Sequence, residues 1–184
     1  MIVFFNTKFT DFQHPELLSI GLVNADGEEC YAELDLGSPA GQEAWSRSSE
    51  FVCTGGVLHQ WDIVSGCSEN SDGEMGAKVG RWIQALHQAS QEPVEIAYGS
   101  DTDVMLLKSA LRSAGVVEAL EKIATFVDIS SEISSSEADA AMEAFFASLS
   151  ILGIRRHHAL ADAAALMTGY ATVRGTPTIR TFEF

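Results

Sequence analysis

An α/β fold, a mixed sheet flanked by helices, is what this sequence predicts, and three observations carry the prediction. Apolar runs of strand length crowd the first 36 residues. Helical periodicity sets in only after residue 71, and from there strand-like and helix-like segments alternate. The composition, 46% hydrophobic and 20% charged over 184 residues, is that of one globular domain spanning 1–184.

Met1 to Asn6 is a continuous apolar run, the pattern of a buried strand. Leu17 to Val23 is a second. Between Glu28 and Leu36, Cys30, Ala32, Leu34 and Leu36 alternate with more polar neighbours, which predicts a third strand. Asn-Ala-Asp-Gly at 24–27 is a hairpin turn signal, so the three strands should form an antiparallel meander. Met75, Val79, Trp82, Ile83 and Leu86 follow Asp72 on one helical face. Val94 to Tyr98 reads as a buried strand. Asp103 to Ala114 reads as a helix stopped by Gly115. A short helix over Val117 to Ala124 leads to a strand over Phe126 to Ile129, and the serines from 130 to 136 read as a loop. Glu137 to Leu149 and His158 to Tyr170 are the last helices. Trp45, Trp61 and Trp82 are expected in the core. A meander followed by alternating elements gives a mixed sheet with helices on its faces.

The chain carries 11 Lys+Arg against 26 Asp+Glu, a formal net charge of -15. That excludes a non-specific DNA coater, whose affinity comes from neutralising phosphates, and argues against docking on anionic lipid. The longest uncharged apolar stretch, Ala144 to Ile154, is too short for a membrane span. The N-terminus lacks a basic region and a small-residue cleavage site, so it reads as a strand and not a leader. Cys30, Cys53 and Cys67 are odd in number and lack CxxC spacing, which points to free thiols in a reducing cytoplasm. Charge is uneven. Residues 155–184 hold Arg155, Arg156, Arg174 and Arg180 against Asp162 and Glu183, a tail of +2 on a body of -17. The tail is either a local anion-binding surface or a solvated face.

Three segments could carry chemistry. In FFNTKFTDF, Asn6 and Lys8 lie two apart on a strand and share a face. In YGSDTDVMLL, Asp101 and Asp103 sit between a strand and a helix. In RRHHALADAAAL, His157 stands at the mouth of a helix with Asp162 five residues on.

In their order and spacing these segments resemble the three motifs of the DEDDh 3′–5′ exonucleases, the group that includes ribonuclease T and oligoribonuclease. The small bacterial exoribonuclease branch is the most similar in wording. FFNTKFTDF, PELLSIGLV, the Asn-Ala-Asp-Gly turn, Asp103-Val-Met-Leu-Leu and HHALADA stand in the same sequence, and the likeness runs from residue 2 to about 170. The resemblance implies a ribonuclease H-like fold, Mg²⁺ or Mn²⁺ as cofactor, a 3′ end of short single-stranded RNA or another oligonucleotide as ligand, and a homodimer. It implies metal-ligand roles for Asp103 and Asp162 and a general-base role for His157; by residue type, Phe9 and Arg156 are expected to contact substrate, the one by stacking on a base and the other by holding phosphate. In such enzymes two divalent ions activate a water and stabilise the leaving oxygen, and carboxylates supply the hard oxygen ligands.

The sequence departs from that pattern at its first motif, where Asn6 and Lys8 stand in place of the two acids. Three units of negative charge are lost there. Asp103, Asp162 and Lys8 together leave the cluster at -1. An ammonium ~5 Å from a doubly charged ion, at an effective dielectric of ~20, costs roughly 6–7 kcal/mol before screening. Asn6 could still offer a neutral oxygen, whereas Lys8 cannot ligate a metal while protonated and could occupy a metal position and contact phosphate directly. Two functions follow as expectations: a 3′–5′ exoribonuclease whose two-metal hydrolysis is impaired and whose metal binding is weak, or a non-catalytic module that binds nucleotide ends or works through protein contacts. A purely structural dimer partner is a third.

Each residue also has a plainer reading. His157 and His158 could cover a helix start, and His158 reads as structural. Asp101 and Asp103 could each cap the following helix, and Asp101 reads as the cap. Phe9 and Phe12 could stack on bases or pack in the core, and Arg155 and Arg156 could be an exposed basic pair.

Overall fold

The computed structural model describes residues 1–149 and 155–175. Its sheet opens with β1 (Ile2–Phe9), β2 (Leu17–Asn24) and β3 (Glu29–Leu34), an antiparallel meander. The turn from β2 to β3 is built as the sequence requires. Asn24 Oδ1 accepts the amides of Asp26 and Glu28, and Gly27 takes φ +83°, which only glycine adopts freely.

Elements that the sequence pattern did not mark follow: α1 (Pro39–Arg47), α2 (Glu50–Thr54), a 3₁₀ turn (Leu58–Gln60) and the two-residue strand β4 (Ser68–Glu69). Ser38 caps α1 and Ser49 caps α2. Both helices are short, and α1 buries only Gly41 and Ala44, so neither shows a strong apolar period. Trp45, expected in the core, is 46% exposed on α1, while Trp61 and Trp82 pack half-buried against the core.

The alternating half comprises α3 (Asp72–Ser90), β5 (Val94–Tyr98), α4 (Asp101–Ser113), α5 (Val117–Leu120), β6 (Ala124–Asp128), α6 (Ser130–Ile133), α7 (Ser136–Leu149) and α8 (Ala159–Arg174). Several boundaries move. β3 ends at Leu34 and leaves Leu36 outside it, β6 spans Ala124–Asp128, and α8 runs on to Arg174. β1 runs on to Phe9 and carries Lys8 inside the strand. α4 starts at Asp101, with Ala114 as its C-cap and Gly115 at φ +69° behind it. α5 ends at Leu120 because β6 claims Ala124. The serine run holds one helical turn, α6. Arg180, Glu183 and the end of the Ala144–Ile154 run lie outside the described residues.

The six strands form one mixed sheet in the order β4-β3-β2-β1-β5-β6, with β5 parallel to β1 and β6 parallel to β5. This is the mixed sheet flanked by helices that the sequence predicts, and its order is consistent with a ribonuclease H-like fold. β1 divides the core. Val3 and Phe5 join the cluster under α3 and α4, while Phe4 points the other way, to Ala163, Ala164 and Met167 of α8. α8 lies so close over β2 that a Cβ on Gly21 would stand 2.2 Å from the Leu160 nitrogen. Among the described residues no helix is long and apolar enough to cross a membrane.

Candidate functional site

The site arises where β1 outruns its neighbour. β1 pairs with β5 only over Ile2, Val3 and Phe4, so its last residues have no partner on that side. The start of α4, which follows β5, fills the gap. By strand alternation Thr7 shares the face of Phe5 and looks toward α4, whereas Asn6 and Lys8 share the face of Phe4 and look toward α8.

The contacts follow that geometry. Asp103, in the first turn of α4 and 4% exposed, accepts from the Thr7 amide at 2.9 Å and the Thr7 hydroxyl at 2.5 Å on one oxygen. Its second oxygen accepts from Asn6 Nδ2 at 3.4 Å. Lys8 Nζ donates to Asn6 Oδ1 and forms a 2.6 Å ion pair with Asp162 Oδ2. Asp162, in the first turn of α8, takes the His157 amide on Oδ1 at 3.2 Å. A continuous chain therefore links Thr7, Asp103, Asn6, Lys8, Asp162 and His157, and its Lys8–Asp162 bond joins residues 154 positions apart.

Burial pushes the Asp103 carboxyl above its ordinary pKa, against the downward pull of the Thr7 hydrogen bonds and the Lys8 charge. Burial also lowers His157 below the usual imidazole value, and Lys8 and Arg156 add to that against the pull of Asp162. These effects favour the neutral form of the His157 ring, which can accept a hydrogen bond. It sits on a backbone at φ +73°, with the Phe51 ring edge-on at 5.1 Å.

Above this polar floor lies a cleft of about 560 Å³, walled mainly by apolar groups. Phe9, Phe12, Phe51, Val52 and Val57 line it together with Asn6, Lys8, Asp103 and His157. Phe9 packs against the core, one of its two readings from sequence, and it also lines the cleft, edge-on to Phe12 at 5.2 Å. Phe12 is 87% exposed, so its core reading fails.

Three expectations need correction or sharpening. Arg156 does not face this cleft. Its guanidinium pairs with Glu143 and lies 4.5 Å over the Phe146 ring, in a neighbouring groove of about 880 Å³ that meets the cleft at His157. Asp101 is exposed at the first position of α4 and does not cap it; Ser100 holds the cap position. His158 is structural: it is 2% exposed, caps α8 by position and stacks on Tyr31 at 4.6 Å between centroids. Thr7, Phe51, Val52 and Val57 were not singled out by sequence. A threonine in a strand signals only packing, and the segment holding the other three has no periodicity.

The metal pair implied by the resemblance does not suit these donors. Of four ligand positions only Asp103 and Asp162 bear carboxylates, and both are already engaged, one by Thr7 and the other by Lys8. The Lys8 ammonium lies between Asn6 Oδ1 and Asp162 Oδ2, the very oxygens a cation would need. Among the described residues no cluster of three or more His, Cys, Asp or Glu side chains is arranged to hold a metal. No family model matches the chain, and no curated protein matches it either.

Proposed function

We propose that this chain binds the 3′ end of a short single-stranded oligonucleotide, RNA before DNA, on an exonuclease-derived scaffold whose internal lysine replaces the divalent cations. The observation that carries this reading is the Lys8 ammonium held between Asn6 and Asp162 on the floor of the cleft. The ammonium, its charge paired with Asp162, spends two of its three protons on Asn6 and Asp162 and leaves the third for a terminal phosphate oxygen without a metal. A neutral His157 beside it accepts a hydroxyl proton but has no metal-activated water to work on. The Phe9, Phe12 and Phe51 walls suit a nucleobase, since aromatic rings stack on any base at about 1–3 kcal/mol each. Two-metal hydrolysis is accordingly impaired or lost. The RNA preference and a homodimer enter through the resemblance alone.

The test is competition. A 5′-labelled linear pentanucleotide RNA is bound in EDTA, and unlabelled linear and circular RNAs of the same composition compete. Linear RNA should displace the probe and circular RNA should not. Equal competition would remove the 3′ end from the reading, and absence of binding would turn the assignment to a protein-interaction module.

A further inference from the structure

We infer that Gln60 is a positioning residue for the cleft, a buried amide clip that sets the segment bearing His157. The inference deepens the proposed function and rests on it only where affinity is concerned.

The clip is visible in its hydrogen bonds. Gln60 ends the 3₁₀ turn and is 4% exposed. Its Oε1 accepts the Arg155 amide at 2.6 Å, while its Nε2 donates to the Arg156 carbonyl at 2.6 Å and to the Gly56 carbonyl at 3.0 Å. One side chain therefore grips the main chain on both sides of the Arg155–Arg156 peptide, 95 residues away in sequence. A carboxamide is the only uncharged side-chain group that presents an acceptor and a two-proton donor at this reach. Immediately beyond the gripped residues comes His157, the left-handed residue whose ring and amide both serve the cleft.

The same loop closes on His157 from the other side. Phe51 meets its ring edge-on. Gly56, at φ +148°, leaves the room its Cβ would take, 3.3 Å from His157 Cδ2. Gln60 ties Gly56 to Arg156 through its single NH₂ group and so fixes the width of this slot. Its influence extends further, because the His157 amide orients Asp162 and Asp162 holds Lys8. Gln60 touches none of the proposed ligand's positions and acts through His157.

The test is a spectroscopic one at fixed pH in EDTA, with an affinity arm. The Phe51 ring current should displace the His157 ring-proton shifts from random-coil values in the unaltered chain. Gln60→Ala should collapse that displacement. Gln60→Glu should do the same, because it keeps the acceptor for Arg155 but turns an oxygen on two carbonyls. Trp61→Phe is the control: it removes the neighbouring anchor, Trp61 Nε1 to the Leu34 carbonyl at 3.0 Å, and should leave the His157 shifts in place. RNA affinity should fall about tenfold in Gln60→Ala, the effect of roughly one net hydrogen bond, and stay unchanged in Trp61→Phe. His157 shifts unaltered in Gln60→Ala, or equally altered in Trp61→Phe, would overturn the clip. If the unaltered chain binds no RNA, the functional reading fails while the shifts still decide the role of Gln60.

Discussion

At the scale of single residues, Lys8 decides what the cleft can hold. Its ammonium satisfies Asn6 and Asp162 at once, so removing the charge alone leaves Asp162 half-buried beside an empty space. Placing acids at positions 6 and 8, as the proposed exonuclease ancestry would have them, should change the chemistry: Asn6→Asp with Lys8→Glu should gain Mn²⁺ binding by calorimetry and Mg²⁺- or Mn²⁺-dependent 3′–5′ trimming of labelled RNA. Each single change should be far weaker, since one leaves the ammonium in the site and the other leaves an acid missing. In the restored double, His157→Ala should lower the rate by about 10²–10⁴-fold, the usual span for a general base. A double variant that binds Mn²⁺ and stays inactive would mean that the cleft has been rebuilt beyond its first motif. A second prediction concerns Thr7→Val, which keeps shape but takes the hydroxyl from buried Asp103. It should cost about 1–3 kcal/mol in urea unfolding, and a cost near zero would show that the hydroxyl bond is dispensable. Asn6 and Lys8 were legible as a pair because residues two apart on a strand share a face, while their meeting with Asp103, His157 and Asp162 was expected only through the motif order of the resemblance. Thr7 and Gln60 were not legible, since their importance lies in partners about 96 residues away.

At the scale of elements, most of the strands and long helices were legible because they bury a continuous face: β2 is buried along its whole length, whereas β6 has no fully buried residue. The 37–71 stretch was not legible. Its helices are held by serine caps and by single anchors such as Trp61 on Leu34, which leave no period to read. The same limit applies to α6, one turn with no buried residue. The approach of α8 to β2 is the packing on which the site depends, because it carries Asp162 to Lys8. Gly21→Ala would push a methyl into the Leu160 and Ala159 backbone, where nothing can rotate away. It should destabilise the fold by about 3 kcal/mol, the upper end of ordinary overpacking, and weaken RNA binding along with stability. Unchanged urea unfolding would show that α8 is free to shift.

At the scale of the molecule, charge governs both stability and binding. Glu33, fully buried and bonded to the Tyr31 hydroxyl at 2.7 Å, has its pKa raised by burial, and so has Asp103. A raised folded pKa gives stability that is complete below the unfolded value and lost as pH rises through the folded one. His158 runs the other way: burial lowers it to about 4, so its contribution is present above its unfolded value near 6.5 and lost as pH falls toward 4. Glu33→Gln should therefore gain melting temperature over the unaltered chain progressively as pH rises above the ordinary carboxyl value of 4.5 and through the raised folded one, and a difference independent of pH would contradict the assignment. The net charge of -15 also limits how RNA can be held. With one to three phosphates contacted, log affinity should fall against log salt with a slope of about -1 to -2; a much steeper slope would mean a basic surface elsewhere. The most direct test of a lysine in place of metal is the affinity of the unaltered chain for linear RNA measured in EDTA and again in Mn²⁺, with the RNA length followed in both. Equal affinity in the two, intact RNA and about a tenfold loss in Lys8→Ala are the expected results; binding that appears only with Mn²⁺, or RNA shortened by the unaltered chain, would contradict it.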